Sequence, residues 1–343
     1  RLRFVIRERG KIEIGGFACA SCHTRVMPDG TAIKGAQGNS PAGREINWRE
    51  RSAEQIRLDH RRVVGAPWVQ PDPLARIEQM SAKELVAASE AIPGGVQRRG
   101  GTSLFFPVQV PDLIGVKERK YLDRTGLQQH HGAVDLMRYA ALNQGMDQLA
   151  RFGDFMPRGK NFRELPGPET QERYSDEQLF ALALYVYSLK PPPNPNKFDA
   201  LAKRGQEVFQ GEGCAGCHTP PLYTNNRLTP ASGFQVPEEH KQKYDILPLS
   251  VGTDPALALT TRRGTGYYKV PSLRGVWYRG PFEHNGSVAT LEDWFDPQRL
   301  RDDYIPTGFK GYGVETRAVK GHEFGLKLGA EDKRALIAFL KTL

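Results

Sequence analysis

Two pentads, Cys19-Ala20-Ser21-Cys22-His23 and Cys214-Ala215-Gly216-Cys217-His218, constrain this chain more than any other feature. Cys-x-x-Cys-His is the spacing at which two thiols add to the two vinyl groups of one haem. The histidine after the second thiol binds the iron from one face as its proximal ligand. The two pentads use all four cysteines, so no thiol remains for a disulfide or a nucleophile. Paired Cys-x-x-Cys also builds four-cysteine zinc sites, but their knuckles usually lie within a few tens of residues. Here positions 19 and 214 stand 195 residues apart, and a histidine comes directly after each pair. A redox dithiol would need one pair and gives the histidine no role. The expectation is two covalently held haem c groups, on Cys19, Cys22 and His23 and on Cys214, Cys217 and His218.

A chain of 343 residues has room for two domains that each bury a core and a porphyrin. Mean hydropathy is −0.53, and no run of 18 apolar residues could span a bilayer. Haem c is attached outside the bacterial cytoplasm, so a periplasmic or extracytoplasmic location is expected. Arg1-Leu2-Arg3-Phe4 reads as the middle of a strand, and a leader is expected before it. The formal charge of +9 falls to about +5 once two haems bring their propionates. That remainder suits ordinary solubility and an acidic redox partner. No dense Lys/Arg block points to nucleic acid.

Along the chain, Leu2, Phe4, Ile6, Ile12 and Ile14 alternate around Arg9-Gly10 as a short hairpin. A Gly/Pro/Asn-rich loop from Pro28 to Gly43 comes after the first motif. Residues 49–62 read as a charged helix, and Pro67, Pro71 and Pro73 interrupt any regular element beyond it. Ser81 to Ala91 is expected to be helical, with Ser81 and Glu84 forming a capping box.

An internal repeat organises the remainder. Val110-Pro111-Asp112-Leu113-Ile114-Gly115-Val116 returns as Val270-Pro271-Ser272-Leu273-Arg274-Gly275-Val276. Downstream, His130-His131-Gly132 matches His284-Asn285-Gly286, with an insertion in one copy. Each unit closes on an amphipathic helix, Ser175 to Lys190 and Ala330 to Leu343. Asp199 to Gln210 forms the helix that delivers Cys214. Pro191-Pro192-Pro193-Asn194-Pro195-Asn196 can neither continue a helix nor join a sheet. The reading is a mainly α chain with long loops and little β, in two tandem cytochrome c-like domains related by duplication. They span residues 1–190 and 199–343 and are joined by a proline-rich linker at 191–198.

With these residues in hand, the chain resembles the bacterial di-haem cytochrome c peroxidase superfamily, which also holds the methylamine-utilisation di-haem enzyme and the di-haem rubber oxygenase. The resemblance is strongest over 199–343, in the second pentad, Val270-Pro271-Ser272-Leu273-Arg274, Phe282-Glu283-His284-Asn285-Gly286-Ser287 and the closing helix. It implies two facing helical haem domains, one haem receiving electrons and the other carrying chemistry. The first half lacks the Phe-Trp-Asp-Gly-Arg segment typical of the peroxidases, so the substrate does not follow from the fold.

The sixth iron position separates a carrier from an enzyme. All five methionines, Met27, Met80, Met137, Met146 and Met156, lie in the first unit. For the second haem the candidates are His322, His284 and His240. The resemblance favours His322, because the segment before the closing helix supplies the distal ligand in cytochrome c domains. For the first haem, Met156, His130, His60 and Met146 are the candidates, beside an open site. His130 is expected to share the role of His284. Trp277 either relays electrons or packs on porphyrin. A structural calcium remains compatible with the sequence. The expected function is electron transfer through two haems, with a cytochrome-type or cupredoxin-type partner or a larger electron-transfer complex. The alternative is a di-haem oxidoreductase, peroxidase-like or oxygenase-like, with an open first haem fed by the second.

Overall fold

The computed structural model describes residues 3–15, 19–40, 52–54, 75–97, 104–144, 175–260 and 264–343. Most of the charged helix expected at 49–62, with His60, Met146 and Met156, lies outside them. The architecture is mainly helical, with only short strands. Among the described residues those strands pair as five separate two-stranded antiparallel ladders, none continuing into a larger sheet. The chain opens on the hairpin Arg3–Glu8 with Lys11–Gly15.

The helices begin where their caps dictate. Ser81 accepts from the Glu84 N–H, and the Glu84 carboxylate takes the Ser81 N–H in return, starting Ala82–Glu90. Ser175 and Gln178 do the same for Asp176–Ser188. The Asp199 carboxylate caps Ala200–Gly211 through the Ala202 N–H.

The two halves use their closing helices differently. Ala330–Lys341 lies against Ala200–Gly211, the helix that delivers the second pentad. A Cβ on Gly205 would stand 1.9 Å from the Ala335 carbonyl oxygen, so only glycine allows that crossing. Phe209, Leu336, Phe339 and Leu340 close the core between the two helices. In the first half, Asp176–Ser188 packs on Ala133–Gln144, and the pentad itself is a short helix, Cys19–Cys22, soon after the hairpin. Leu122, Leu136, Ala183 and Val186 form that core.

The segment Pro191 to Asn196 is irregular, and the Asn194 amide donates to the Lys341 carbonyl. Residues before and after it interlock. The buried Tyr278 hydroxyl donates to Asp112 at 2.7 Å. The Gln109 amide reaches the Pro281 carbonyl, and the fully buried Gln37 takes the Gly280 N–H.

The structure also corrects the register of the repeat. From Val110 to Gly126 and from Val270 to Gly286 the two copies run at a constant offset with no insertion. Gly115 and Gly275, Asp123 and Glu283, and Gly126 and Gly286 all adopt left-handed backbone. One-turn 3₁₀ helices, Val116–Glu118 and Val276–Tyr278, begin directly after the first glycines. Arg119 donates to the Ile114 carbonyl as Arg279 does to that of Arg274. The counterpart of His284 is therefore Arg124, not His130. The similar histidine pairs suggest otherwise along the sequence, but backbone sign and hydrogen bonding fix the true alignment.

Candidate haem sites

Each pentad opens onto its own cavity. The first, of about 400 Å³, is lined by Cys19, Cys22 and His23 and by apolar side chains including Val110, Leu113, Leu136, Leu179 and Val186. The second, of about 220 Å³, is lined by Cys214, Cys217 and His218 with Leu273, Val276, Phe295 and Leu336. The two cysteine pairs line different cavities, so the structure does not assemble them into a four-cysteine zinc site. None of the four cysteines is in a disulfide, and burial pushes Cys214 up to about 11.

The pentad histidines are oriented by backbone carbonyls at or near the repeated Val-Pro segments. His23 Nδ1 donates to the Pro111 carbonyl at 3.0 Å. His218 Nδ1 donates to the Tyr223 carbonyl at 3.1 Å, with the Pro271 backbone also in reach. A ring that donates through Nδ1 leaves the Nε2 lone pair free for a metal, and the carbonyl raises its basicity. Burial lowers the pKa of His218 and keeps it neutral, as a metal ligand must be. Apolar walls, paired thiols and an oriented imidazole in each cavity fit covalent haem c.

Across the second cavity from His218 stands His322, with ring centroids 6.2 Å apart. Two imidazoles on opposite sides of one metal, at bond lengths of roughly 2 Å, would bring their centroids to about that separation. The loop carrying His322 is held firmly. Gly321 precedes it in left-handed backbone against Gly252, and the His322 N–H donates to the Val251 carbonyl. The buried Arg299 guanidinium donates to the His322, Val319 and Trp294 carbonyls. Nδ1 of His322 is buried with no hydrogen-bond partner. Burial first, then His218, push this imidazole down to about 4, so it is neutral.

His284 also lines the second cavity, but both its ring nitrogens are engaged. Nδ1 lies 2.7 Å from the Glu283 carboxylate and Nε2 3.3 Å from the Tyr268 hydroxyl, with the His284 and Tyr268 rings stacked. His240 meets the Tyr267 hydroxyl instead. In the first half, His130 is tied at Nδ1 to the Arg119 carbonyl and at Nε2 to the Tyr187 hydroxyl, and it does not itself line the first cavity. Met27, Met80 and Met137 pack in apolar clusters. Tyr139, Ala140, Leu182 and Ala183 also line the first cavity. Trp277 packs on Ile33, Ala36 and Tyr278 and lines neither cavity. Sequence reading missed Arg119, Arg124, Lys269 and Arg279. A repeat register carried without a gap past Val116 would have shown Arg119 opposite Arg279.

Motifs, cavities and oriented histidines define a c-type cytochrome with two haems. A family model described as RoxA-like, cytochrome c-like, matches residues 266–304. Cytochrome-c peroxidase IdrP1 of Pseudomonas sp. (strain SCT) is 32% identical over 166 residues, covering 43% of this chain and 41% of that protein. The methylamine utilization protein MauG of Methylorubrum extorquens is 30% identical over 145 residues, covering 42% and 35%. The chain is thus similar to a cytochrome-c peroxidase and to MauG over part of its length, and it spans about two fifths of these curated relatives' length. A solved MauG-like protein associated with microbial copper homeostasis aligns over 85% of this chain and 88% of that one, at a TM-score of 0.40 and 18% identity.

Proposed function

We propose that this protein transfers electrons through two covalently bound haems, one in each cavity, outside the cytoplasm. The observation that carries the reading is the pairing of each Cys-x-x-Cys-His with a backbone carbonyl that fixes the proximal ring. His23 and His218 are the proximal ligands. His322 is the distal ligand of the second haem, supported by its distance from His218 and its neutral, anchored ring. His284, held at both nitrogens, stays a polar neighbour of that haem, and His130 serves the packing of the first half. Bound haem supplies one-electron redox chemistry, and the protein isolates it from water with apolar walls. Residues 1–190 and 199–343 are the two haem domains and 191–198 the joint between them. The partner is a small redox protein or a larger electron-transfer complex.

A second reading is favoured by one observation. Among the described residues lining the first cavity there is no methionine and no histidine besides His23, and the Tyr139 hydroxyl there donates to Asp123. A first haem without a sixth ligand would bind a small oxidant and make the protein an oxidoreductase fed by the second haem. Intact mass under denaturing conditions tests the first reading. Two haem increments are expected, one lost in a Cys19→Ala/Cys22→Ala variant and the other in Cys214→Ala/Cys217→Ala. Bound zinc, or a mass without increments, contradicts it.

A further inference from the structure

Between the cavities the fold gathers four cations that take no part in attaching or ligating the haems. Arg119, Arg124, Lys269 and Arg279 border one small space of about 20 Å³, together with Asp112, Pro111 and Pro271. Arg124 and Lys269 line both haem cavities, while Arg119 lines the first and Arg279 the second. The acidic groups beside them are Asp112 and Asp123, with Glu118 at an exposed edge. Asp112 already accepts from Tyr278 and the Ile114 N–H, and it lies 4.0 Å from Arg279 Nε. Asp123 already accepts from Tyr139 and Thr125.

These cations are short of anions. Nε of Arg124 and Nε of Arg279 are buried with no hydrogen-bond partner. Burial first, then Arg279 and Arg119, lower Arg124 to about 10. Burial first, then Arg119 and Arg124, hold Lys269 well below the ordinary lysine range. Four cations with two committed carboxylates in a desolvated space are unfavourable unless further negative charge arrives. Each haem carries carboxylates, and the cluster faces both cavities.

We propose that this cluster is a shared carboxylate site for the two haems, where a propionate from each meets Arg124 and Lys269, with Arg119 completing one side and Arg279 the other. The proposal rests on the two-haem reading. Guanidinium groups suit this task because their planar N–H pairs match a carboxylate. Positive charge held beside a haem favours the ferrous iron over the ferric, which carries one more positive charge, and so raises the reduction potential. Because Arg124 and Lys269 face both cavities, they tune the two potentials together. Among the described residues no group of three or more His, Cys, Asp or Glu gathers to hold a metal.

Spectropotentiometric titration of the two-haem protein tests the proposal, with intact mass establishing haem content in every sample. Arg124→Met and Lys269→Met should each lower both midpoint potentials. The expected size is about tenfold in each reduction equilibrium, or about 59 mV for a one-electron couple. Lys269→Arg should keep both near wild type, and Arg301→Met, at an exposed pair with Asp303, should move neither. If Arg124→Met fails to load haem, the Lys269→Met and Lys269→Arg pair decides alone. Potentials unmoved, or only one moved, in a protein carrying both haems would overturn the shared site. So would stoichiometric calcium whose removal lowers both potentials. Wild-type protein lacking the two haem increments would instead overturn the underlying reading.

Discussion

The same turn occurs twice in this molecule with different chemistry on it. Asp123-Arg124 and Glu283-His284 occupy equivalent positions, each opening with an acidic residue in left-handed backbone and closing on Gly126 or Gly286. The first copy directs a cation toward the space between the cavities. The second places an imidazole between Glu283 and Tyr268 beside the second cavity. The cavity linings differ likewise, with His322 across from His218 in one half and, among the described residues, His23 as the only histidine lining the other. A duplicated backbone preserves the Pro111 and Pro271 contacts that orient the pentad histidines and leaves the rest of each cavity free to diverge. Fold and function are thereby separable within one chain.

The largest stability effect should fall where the halves differ most in packing. Gly205→Ala must drive Ala200–Gly211 off Ala330–Lys341, because the new methyl meets backbone that cannot yield. Overpacking of this kind costs about 1–3 kcal/mol, and each kcal/mol lowers Tm by roughly 2–4 °C in a large domain. Gly211→Ala, on the same helix with nothing within 4 Å of its Cβ, should be neutral or stabilising. Equal melting of the two variants would mean that the helix pair is not the tight contact described. Denaturant titration of Tyr278→Phe comes next. It leaves the buried Asp112 oxygen without its donor across the two halves, a loss of about 1–3 kcal/mol. An unchanged midpoint would show that this bond does not tie the halves together.

The smallest effect is the pH dependence that Glu283 contributes in the second half. Burial raises the Glu283 pKa, but His284 and the Asn285 N–H outweigh it and hold the carboxyl below its usual range. Its ionised form therefore stabilises the fold fully above the ordinary carboxylate pKa of about 4.3. That contribution is lost as pH falls through the lowered folded value. Glu283→Gln should flatten the acid limb of the stability curve, and Asp123→Asn, in the equivalent turn, provides the comparison. An identical acid limb in Glu283→Gln and wild type would remove Glu283 as its source.

Local signals in the sequence carried far. Ser81 with Glu84, Ser175 with Gln178 and Asp199 each mark a helix start that the structure realises, because caps act within one turn. The pentads and the repeated Val-Pro segments were equally plain. The register beyond Val116 was not, since His130 and His284 look alike on paper while the match of Arg124 to His284 rests on backbone sign at Asp123 and Glu283. The Arg119, Arg124, Lys269 and Arg279 cluster was hidden for a related reason. Its members are scattered along the chain, and only the packing of one half on the other brings them together.

Low-temperature EPR of the oxidised protein tests the contrast between the two distal faces most directly. The account predicts a low-spin ferric signal from the second haem, replaced by a high-spin signal in His322→Ala and retained in His284→Ala. A low-spin signal that survives His322→Ala and disappears in His284→Ala would contradict it and transfer the ligand to His284.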